Sequence, residues 1–217
     1  MTSQKLILVI GGGASGFFAA INAAANFPEA KVIILEKSGK LLSKVRISGG
    51  GRCNVTHHCF ENNELVKNYP RGEKELKQVF SQFSVQDTID WFGKRGVKLK
   101  TEQDGRMFPE SNSSETIINC FLTEAQKHGI DINLNEEVLE ISNRHPVTTR
   151  RDDSGSNEML NQVQHDDQNG IKVKTIKQTY MAHALICSIG GHHQEKNYAF
   201  LKQAGHKIDE LIPSLFT

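Results

Sequence analysis

The residue types best suited to chemistry in this sequence form a short glycine-rich turn near its start. Gly11, Gly13 and Gly16 are spaced as G-x-G-x-x-G, directly after the apolar run of residues 5–10. In such a turn the first glycine permits the tight bend, the second lets a pyrophosphate approach the backbone, and the third lets a helix pack against the strand. The helix then presents free N–H groups and its positive dipole end to the phosphates. The spacing therefore indicates a phosphate-binding turn.

An acidic residue follows at the distance expected for a ribose ligand. Glu36 ends the second apolar run, residues 31–35, about twenty residues beyond Gly16. A carboxylate there can accept hydrogen bonds from ribose hydroxyls, whereas the 2′-phosphate of NADP would meet its negative charge. The unit therefore predicts a site for the ADP half of a dinucleotide other than NADP. A glycine-rich turn without a ligand is the alternative.

A second glycine-rich segment, residues 48–56, reads SGGGRCNVT. Consecutive glycines let the backbone pass close to a flat or bulky group, and Arg52, Asn54 and Thr56 supply donors around it. Lys44 adds positive charge just before the segment. A pyrophosphate or the pyrimidine edge of a flavin would suit this arrangement, and a flexible surface loop is the alternative.

A third candidate lies where the apolar run of residues 184–189 ends in Gly190. In flavoproteins with two dinucleotide-binding domains, a strand that ends in a small residue and a glycine passes close to bound FAD. A simple turn at the end of a strand is the alternative.

These candidate sites require a βαβ unit to position them, and the periodicity of the sequence predicts one. Residues 5–10 and 31–35 are typical of buried parallel strands, and the alanine-rich residues 14–26 between them are typical of a helix. We expect residues 38–56 to form a loop. Further helices are predicted at residues 73–83, 85–95 and 114–128, and further strands at 97–100, 130–134, 138–141, 171–180 and 184–189. The predicted fold is α/β, with a parallel sheet of the Rossmann type and a small antiparallel hairpin.

Residues 143–170 differ from the rest of the chain because they are strongly polar. Such a segment cannot bury enough apolar surface to offset its ordering entropy. We therefore expect residues 143–170 to be an exposed inserted loop between the two strands of the hairpin.

The composition excludes several classes of function. The chain has 217 residues, of which 26 are basic and 25 acidic, for a net charge of +1. This balance gives no general attraction to nucleic acid or to an anionic membrane. Residues 6–25 carry no charge, but glycines break this stretch, so it does not predict a membrane anchor. The four cysteines lack the spacing of a disulfide framework, which favours a cytoplasmic location.

Cysteine and histidine cluster at Cys53, His57, His58 and Cys59. No C-x-x-C pair is present, and adjacent ligands suit tetrahedral zinc poorly, so we expect no metal site. Cys53 is either a reactive thiol assisted by Arg52 or, as we favour, a small buried thiol near the cofactor.

The order of several motifs resembles a known family. The segments VIGGGASGFFAAI, LEK, ISGGGRCNVTH, GRMFPES and AGHKIDELIPSLF are similar to those of bacterial FAD-dependent oxidoreductases, which include aminoacetone-oxidase-like and BaiN-type flavoproteins. The resemblance implies FAD as cofactor, NAD(P)H as a transient electron donor and a small-molecule substrate.

The cofactor-binding residues that we expect are Gly11, Gly13, Ala14, Ser15, Gly16, Glu36, Lys37, Lys44, Gly51, Arg52, Cys53, Asn54, Val138 and Gly190. The glycine turn and Glu36 would contact the ADP part, Lys44 and residues 51–54 the flavin side, and Val138 the adenine.

Two departures from the family pattern shape the remaining expectations. The strand that ends in Gly190 continues into His192 and His193 instead of a glycine-rich turn. Family members also run to roughly twice this length, as chains with a second domain do. We therefore expect residues 1–217 to be the N-terminal part of an FAD/NAD(P)-binding domain, without the C-terminal FAD segment and the substrate domain. No catalytic acid or base is assigned, and an NAD-binding dehydrogenase or a truncated non-catalytic remnant is the alternative.

Overall fold

The computed structural model describes residues 4–69, 72–143, 170–191 and 194–211. It begins with the predicted βαβ unit, formed by strand β1 (Leu6–Ile10), helix α1 (Ala14–Asn26) and strand β2 (Lys31–Glu36). The two strands are parallel, with Leu6 opposite Lys31. The bounds of α1 coincide with those predicted, since its alanines favour a helix.

The central layer is a four-stranded parallel sheet in the order β10-β1-β2-β6. Strand β6 spans Asp131–Leu134 and strand β10 spans Ala184–Cys187. This sheet, together with the helices on one face, confirms the predicted α/β fold of the Rossmann type. Ala184 and Cys187, at the two ends of β10, are exposed because β10 lies at the edge of this sheet.

Alternate residues of the central strands face two different layers. Val9 and Ile34 point to the side of α1, helix α5 (Val85–Gly93) and helix α6 (Ser114–Lys127). On the opposite side, Leu8, Ile10, Ile33 and Leu35 pack against a small antiparallel sheet and Phe200. Because both faces are covered, the central strands are apolar throughout, as the sequence indicated.

The antiparallel sheet consists of β7 (Val138–Asn143), β8 (Ile171–Thr175) and β9 (Thr179–Ala182). The predicted hairpin is therefore present, with Asn143 opposite Ile171. The polar insert predicted between its strands lies outside the described residues except at its two ends. The single strand predicted at residues 171–180 is wrong, because the Thr175 hydroxyl accepts hydrogen bonds from the N–H groups of Lys177 and Gln178 and turns the chain there.

The loop predicted at residues 38–56 is also wrong in part, because it contains helix α2 (Ser43–Gly51), which has a kink at residues 48–50. Tertiary packing stabilises this helix: Val45 is buried, and the Ser114 hydroxyl donates to the Arg46 carbonyl over 2.9 Å.

The remaining elements are β3 (Thr56–His57), α3 (Asn62–Leu65), a 3-10 turn (Val66–Asn68), α4 (Glu73–Phe80), β4 (Leu99–Thr101), β5 (Arg106–Pro109), a second 3-10 turn (Glu195–Tyr198) and α7 (Ala199–Gln203).

Helix α5 begins with a capping box, in which Ser84 and the Asp87 side chain pair reciprocally. Strands β3, β5 and β4 form a second antiparallel sheet, which the sequence did not predict as a unit. Among the described residues, no helix is both long and apolar enough to cross a membrane.

Candidate dinucleotide-binding site

A cavity of about 760 Å³ opens at the carboxyl ends of β1, β2 and β10. Ligands of open α/β sheets bind at this edge, in the crevice beyond the strand ends. The glycine turn, the end of β2, the start of α2, the start of β7 and the segment after β10 supply its walls.

The three glycines of the turn have distinct environments. Gly11 has φ +108°, which favours glycine, and a side chain there would lie 2.4 Å from the Ser188 carbonyl oxygen. A side chain at Gly16 would lie 1.9 Å from the Gly11 carbonyl oxygen, so α1 packs directly on the turn. A side chain at Gly13 would have no described atom within 4 Å beyond its chain neighbours and the backbone of its own helix. Gly13 therefore leaves open space at the cavity wall, and Gly11 and Gly16 are required by packing.

Helix α1 begins at this open position. Gly13 is its N-cap, with extended backbone (φ −91°, ψ −175°), and no described side chain caps the helix. The first N–H groups of a helix lack intrahelical partners, and the helix dipole makes this end partly positive. The start of α1, where Ala14 and Ser15 line the cavity, is consequently suited to a phosphate group.

Glu36 lies beside the turn and is already hydrogen bonded on both carboxylate oxygens. Its Oε2 accepts from the Gly12 N–H at 2.7 Å, and its Oε1 accepts from the Ser38 N–H and hydroxyl, each at 2.8 Å. A carboxylate has about four acceptor positions, so capacity for a ribose hydroxyl remains on Oε2. These bonds fix the carboxylate at the cavity wall.

The second glycine-rich segment is a packed loop. Gly49, Gly50 and Gly51 have φ values of +54°, +68° and +83°, so all three adopt the left-handed conformation that glycine tolerates. A side chain at Gly49 would lie 2.7 Å from the Phe108 ring. Arg52 pairs with Glu102 and lies over the same ring, 4.0 Å from its centroid. The loop is therefore anchored to β5, in contrast to the alternative of a flexible surface loop.

The rest of this segment also lies outside the cavity lining. Cys53 is buried, with 7% of its surface exposed, and this burial raises the pKa of its thiol. A raised pKa disfavours the nucleophilic thiolate, so the reactive-thiol interpretation is not supported. The side-chain nitrogen of Asn54 donates to the backbone carbonyl of Thr56 at 2.9 Å and to that of Met107 at 3.3 Å.

Two lysines, one directly after β2 and one in α2, are hydrogen bonded to the segment after β10. Lys44 Nζ donates to the Gly191 carbonyl at 3.0 Å, and Lys37 Nζ donates to Asn197 Oδ1 at 3.0 Å. Gly190, between β10 and this contact, has φ +70°. The predicted residues Lys37, Lys44 and Gly190 thus line the same cavity, although Gly190 is far from the two lysines in sequence.

The structure brings most of the predicted site residues together. Those that line the cavity are Gly11, Gly13, Ala14, Ser15, Glu36, Lys37, Lys44, Val138 and Gly190. Those outside the lining are Gly16, which supports the turn, and Gly51, Arg52, Cys53 and Asn54, which form the anchored loop. Sequence reasoning missed Ser38, Lys40, Glu136, Glu137, Lys196, Asn197 and Phe200, which also line the cavity. The last five of these residues belong to the β6–β7 connection and to the segment after β10. The order of strands in the sheet brings both segments to the cavity.

No group of three potential metal ligands comes together within the described ranges, which omit His192 and His193. Arg106 pairs with Asp104 at 2.7 Å in the turn between β4 and β5. The turn between β4 and β5 is therefore a charged hairpin turn.

Comparisons with known proteins agree with this geometry. A 3-dehydro-bile acid delta(4,6)-reductase from Clostridium scindens is 24% identical over 216 residues, which is 95% of this chain and 46% of that protein. The ribosomal RNA dihydrouridine synthase of Escherichia coli is 28% identical over 135 residues, which is 62% of this chain and 32% of that protein. The chain therefore spans about half the length of the first relative and about a third of the second.

The fold is similar to that of solved flavoproteins. The open conformation of a flavocytochrome c3 fumarate reductase matches with a TM-score of 0.55 and 22% identity, over 88% of this chain and 35% of its own. A family model for the HI0933-like protein Rossmann domain matches residues 5–211. This match and the bile-acid relative confirm the resemblance predicted from the sequence motifs. The chain belongs to the HI0933-like family, whose Rossmann domain it contains.

Proposed function

We propose that this chain binds FAD and forms the dinucleotide-binding part of an oxidoreductase. The observation that carries the proposal is the open position at Gly13, at the start of α1, beside the fixed Glu36 carboxylate. The start of α1 suits a phosphate group and the Glu36 carboxylate suits ribose hydroxyls, so together they fit ADP. FMN lacks the adenosine that would use Glu36, and NADP would place a phosphate against its charge.

Each end of the cofactor has a proposed set of contacts. The N–H groups at the start of α1 bind the pyrophosphate, Glu36 accepts from the ribose, and Val138 lies against the adenine. Lys44, Gly190 and the loop of residues 51–54 lie toward the flavin. The loop acts mainly through its backbone, since Arg52 and Asn54 are engaged with β5 and its neighbours. Bound FAD supplies reversible hydride chemistry between a donor and an acceptor.

The names of the two relatives favour one reaction class. A delta(4,6)-reductase saturates carbon–carbon double bonds, and dihydrouridine is uridine with one such bond saturated. In a 3-dehydro bile acid and in uridine alike, that bond can be conjugated to a carbonyl group. We therefore propose a reductase that saturates a conjugated carbon–carbon double bond, with NAD(P)H as the electron donor and a cytoplasmic location.

The substrate we favour is a small molecule. The near-neutral charge of the chain gives no general attraction for RNA. The match to the dihydrouridine synthase favours a second candidate substrate, a uridine within RNA. This match covers a shorter part of the chain than the match to the bile-acid reductase does. An NAD-binding dehydrogenase is the alternative that uses the same βαβ unit.

The experiment that tests the cofactor is identification of the bound nucleotide in the full-length protein. Purified protein should be yellow, and heat denaturation should release FAD. Release of FMN alone, or a colourless protein that binds NAD, would contradict the proposal. Anaerobic reduction by NADH or NADPH, followed by addition of an enone or a uridine-containing RNA, would then distinguish the two substrate candidates.

A further inference from the structure

A buried carboxylate lies in the wall of the cavity, beside the end of β2. Glu136 lies in the connection between β6 and β7, lines the cavity and is only 3% exposed. Burying a carboxylate is unfavourable unless donors compensate for the lost water. Its presence here therefore requires a specific arrangement of partners.

Those partners come from the β8–β9 hairpin. Glu136 Oε1 accepts from the Tyr180 hydroxyl at 2.7 Å and from the Thr175 hydroxyl at 3.0 Å. The Gln178 amide lies 3.4 Å from the same oxygen and also donates to Tyr180. The Tyr180 hydroxyl in turn accepts from Asn133 at 2.9 Å, which extends the network into β6.

The backbone of the same connection is attached to the end of β2. The Glu136 N–H donates to the Glu36 carbonyl at 2.9 Å, and the Asn135 N–H donates to the Ser38 carbonyl at 3.1 Å. On its other side the Ile176 N–H donates to the Glu137 carbonyl at 3.0 Å. The proposed ribose acceptor and the start of the proposed adenine wall are therefore joined directly through one backbone hydrogen bond.

We propose that Glu136 is a positioning residue for the adenosine half of the cofactor, an inference that rests on the proposed function. Its carboxylate, held by Tyr180 and Thr175, fixes the backbone that leads into Val138 at a set distance from Glu36. Loss of one donor lets this wall move relative to Glu36. The adenosine then meets only one of its two contacts in the correct place, and affinity falls.

Two donor variants of the 217-residue chain test this role. Tyr180→Phe and Thr175→Val each remove one hydroxyl and keep the shape of the side chain. Thr175→Val also removes the hydrogen bonds of this hydroxyl with the Lys177 and Gln178 backbone, so Tyr180→Phe is the more specific of the two. Each should raise the Kd for ADP, measured by calorimetry at 10 °C, by about fivefold or more. Tyr69→Phe is the matched control, because Tyr69 does not line the cavity, and its Kd should stay within about twofold of the unchanged chain.

A merely structural role gives a different result, because it lowers the unfolding temperature without changing the Kd of protein that is still folded. Circular dichroism therefore establishes that each variant is folded at 10 °C, and Thr175→Val decides the matter if Tyr180→Phe does not fold. A rescue series adds a second readout: Glu136→Gln keeps an oxygen for Tyr180 and should lose less affinity than Glu136→Leu.

The outcomes separate this inference from the proposed function. Unchanged ADP affinity in both folded donor variants, or equal losses for Glu136→Gln and Glu136→Leu, would overturn the positioning role alone. Failure of the unchanged chain to bind ADP would overturn the proposed function and the positioning role with it.

Discussion

The Glu36 carboxylate accepts a hydrogen bond from the Gly12 N–H, with 2.7 Å between the nitrogen and Oε2. This bond joins the end of β2 to the centre of the glycine turn. The ribose acceptor and the phosphate-binding turn are thus held in a fixed relation before a ligand arrives. Such preorganisation reduces the ordering cost of binding.

Glu36→Gln should weaken FAD binding roughly tenfold, or about 1.4 kcal/mol. The substitution removes the negative charge that strengthens the bonds to the ribose and to the Gly12 N–H. Fluorescence quenching of FAD measures the change. Ser38→Ala is the control, because it removes one donor to Glu36 and leaves the charge, so its loss should be smaller. Equal affinity of Glu36→Gln and the unchanged chain would count against the ribose role.

Gly13→Ala and Gly16→Ala should separate binding from stability. A methyl group at Gly13 enters open space, so the free energy of unfolding should change by less than about 1 kcal/mol while FAD affinity falls. A methyl group at Gly16 meets the Gly11 carbonyl oxygen, so the fold should lose about 1–3 kcal/mol. Urea denaturation without ligand measures both values. Normal FAD binding by Gly13→Ala would show that no phosphate approaches this position.

The polar insert should be dispensable for folding. Asn143 lies opposite Ile171 in the β7–β8 ladder, which is the register that a two-residue turn can close. Replacing residues 144–170 by Asn-Gly should keep the melting temperature within a few degrees or raise it, because the shorter loop changes closure entropy by only about 2 kcal/mol. Insoluble protein on expression would indicate that the segment contributes to the structure.

The cysteines should react with iodoacetamide in an order set by burial. Burial raises the pKa of Cys53, and it raises that of Cys120 to about 11, so both thiols stay protonated at pH 8. Cys59 is only half-buried and should be labelled at least about tenfold faster. Mass spectrometry of timed samples gives the rates, and urea should remove the difference. Rapid labelling of Cys53 in the folded chain would revive the reactive-thiol interpretation. Raising the pH should accelerate the labelling of Cys53, since more thiolate forms.

Local patterns were sufficient to predict the βαβ unit. Helix α1 and strand β2 follow from short-range periodicity, and the roles of Gly11 and Gly16 follow from their spacing. The start of helix α2 could not be predicted this way, because its stability comes from contacts such as that of Ser114 with the Arg46 carbonyl. Long-range packing of this kind leaves no periodic signal.

Two further features depended on information that the sequence does not display locally. The turn after Thr175 contains no glycine, proline or asparagine, and a threonine hydroxyl makes it instead. The cavity wall formed by Glu136 and Asn197 arises because the sheet order brings distant segments to one edge. Candidate residues for an ADP site were therefore predictable, whereas the wall that contains Glu136 and Asn197 was not.

Recognition of the adenosine diphosphate half of FAD can be measured by calorimetric titration of the 217-residue chain with ADP, FAD, FMN and NADP. We expect saturable binding of ADP and FAD, mutual competition between them, and no competition from FMN. NADP should bind more weakly than ADP, because its 2′-phosphate meets Glu36. Binding of FMN without binding of ADP would show that this chain does not recognise the adenosine diphosphate half of FAD.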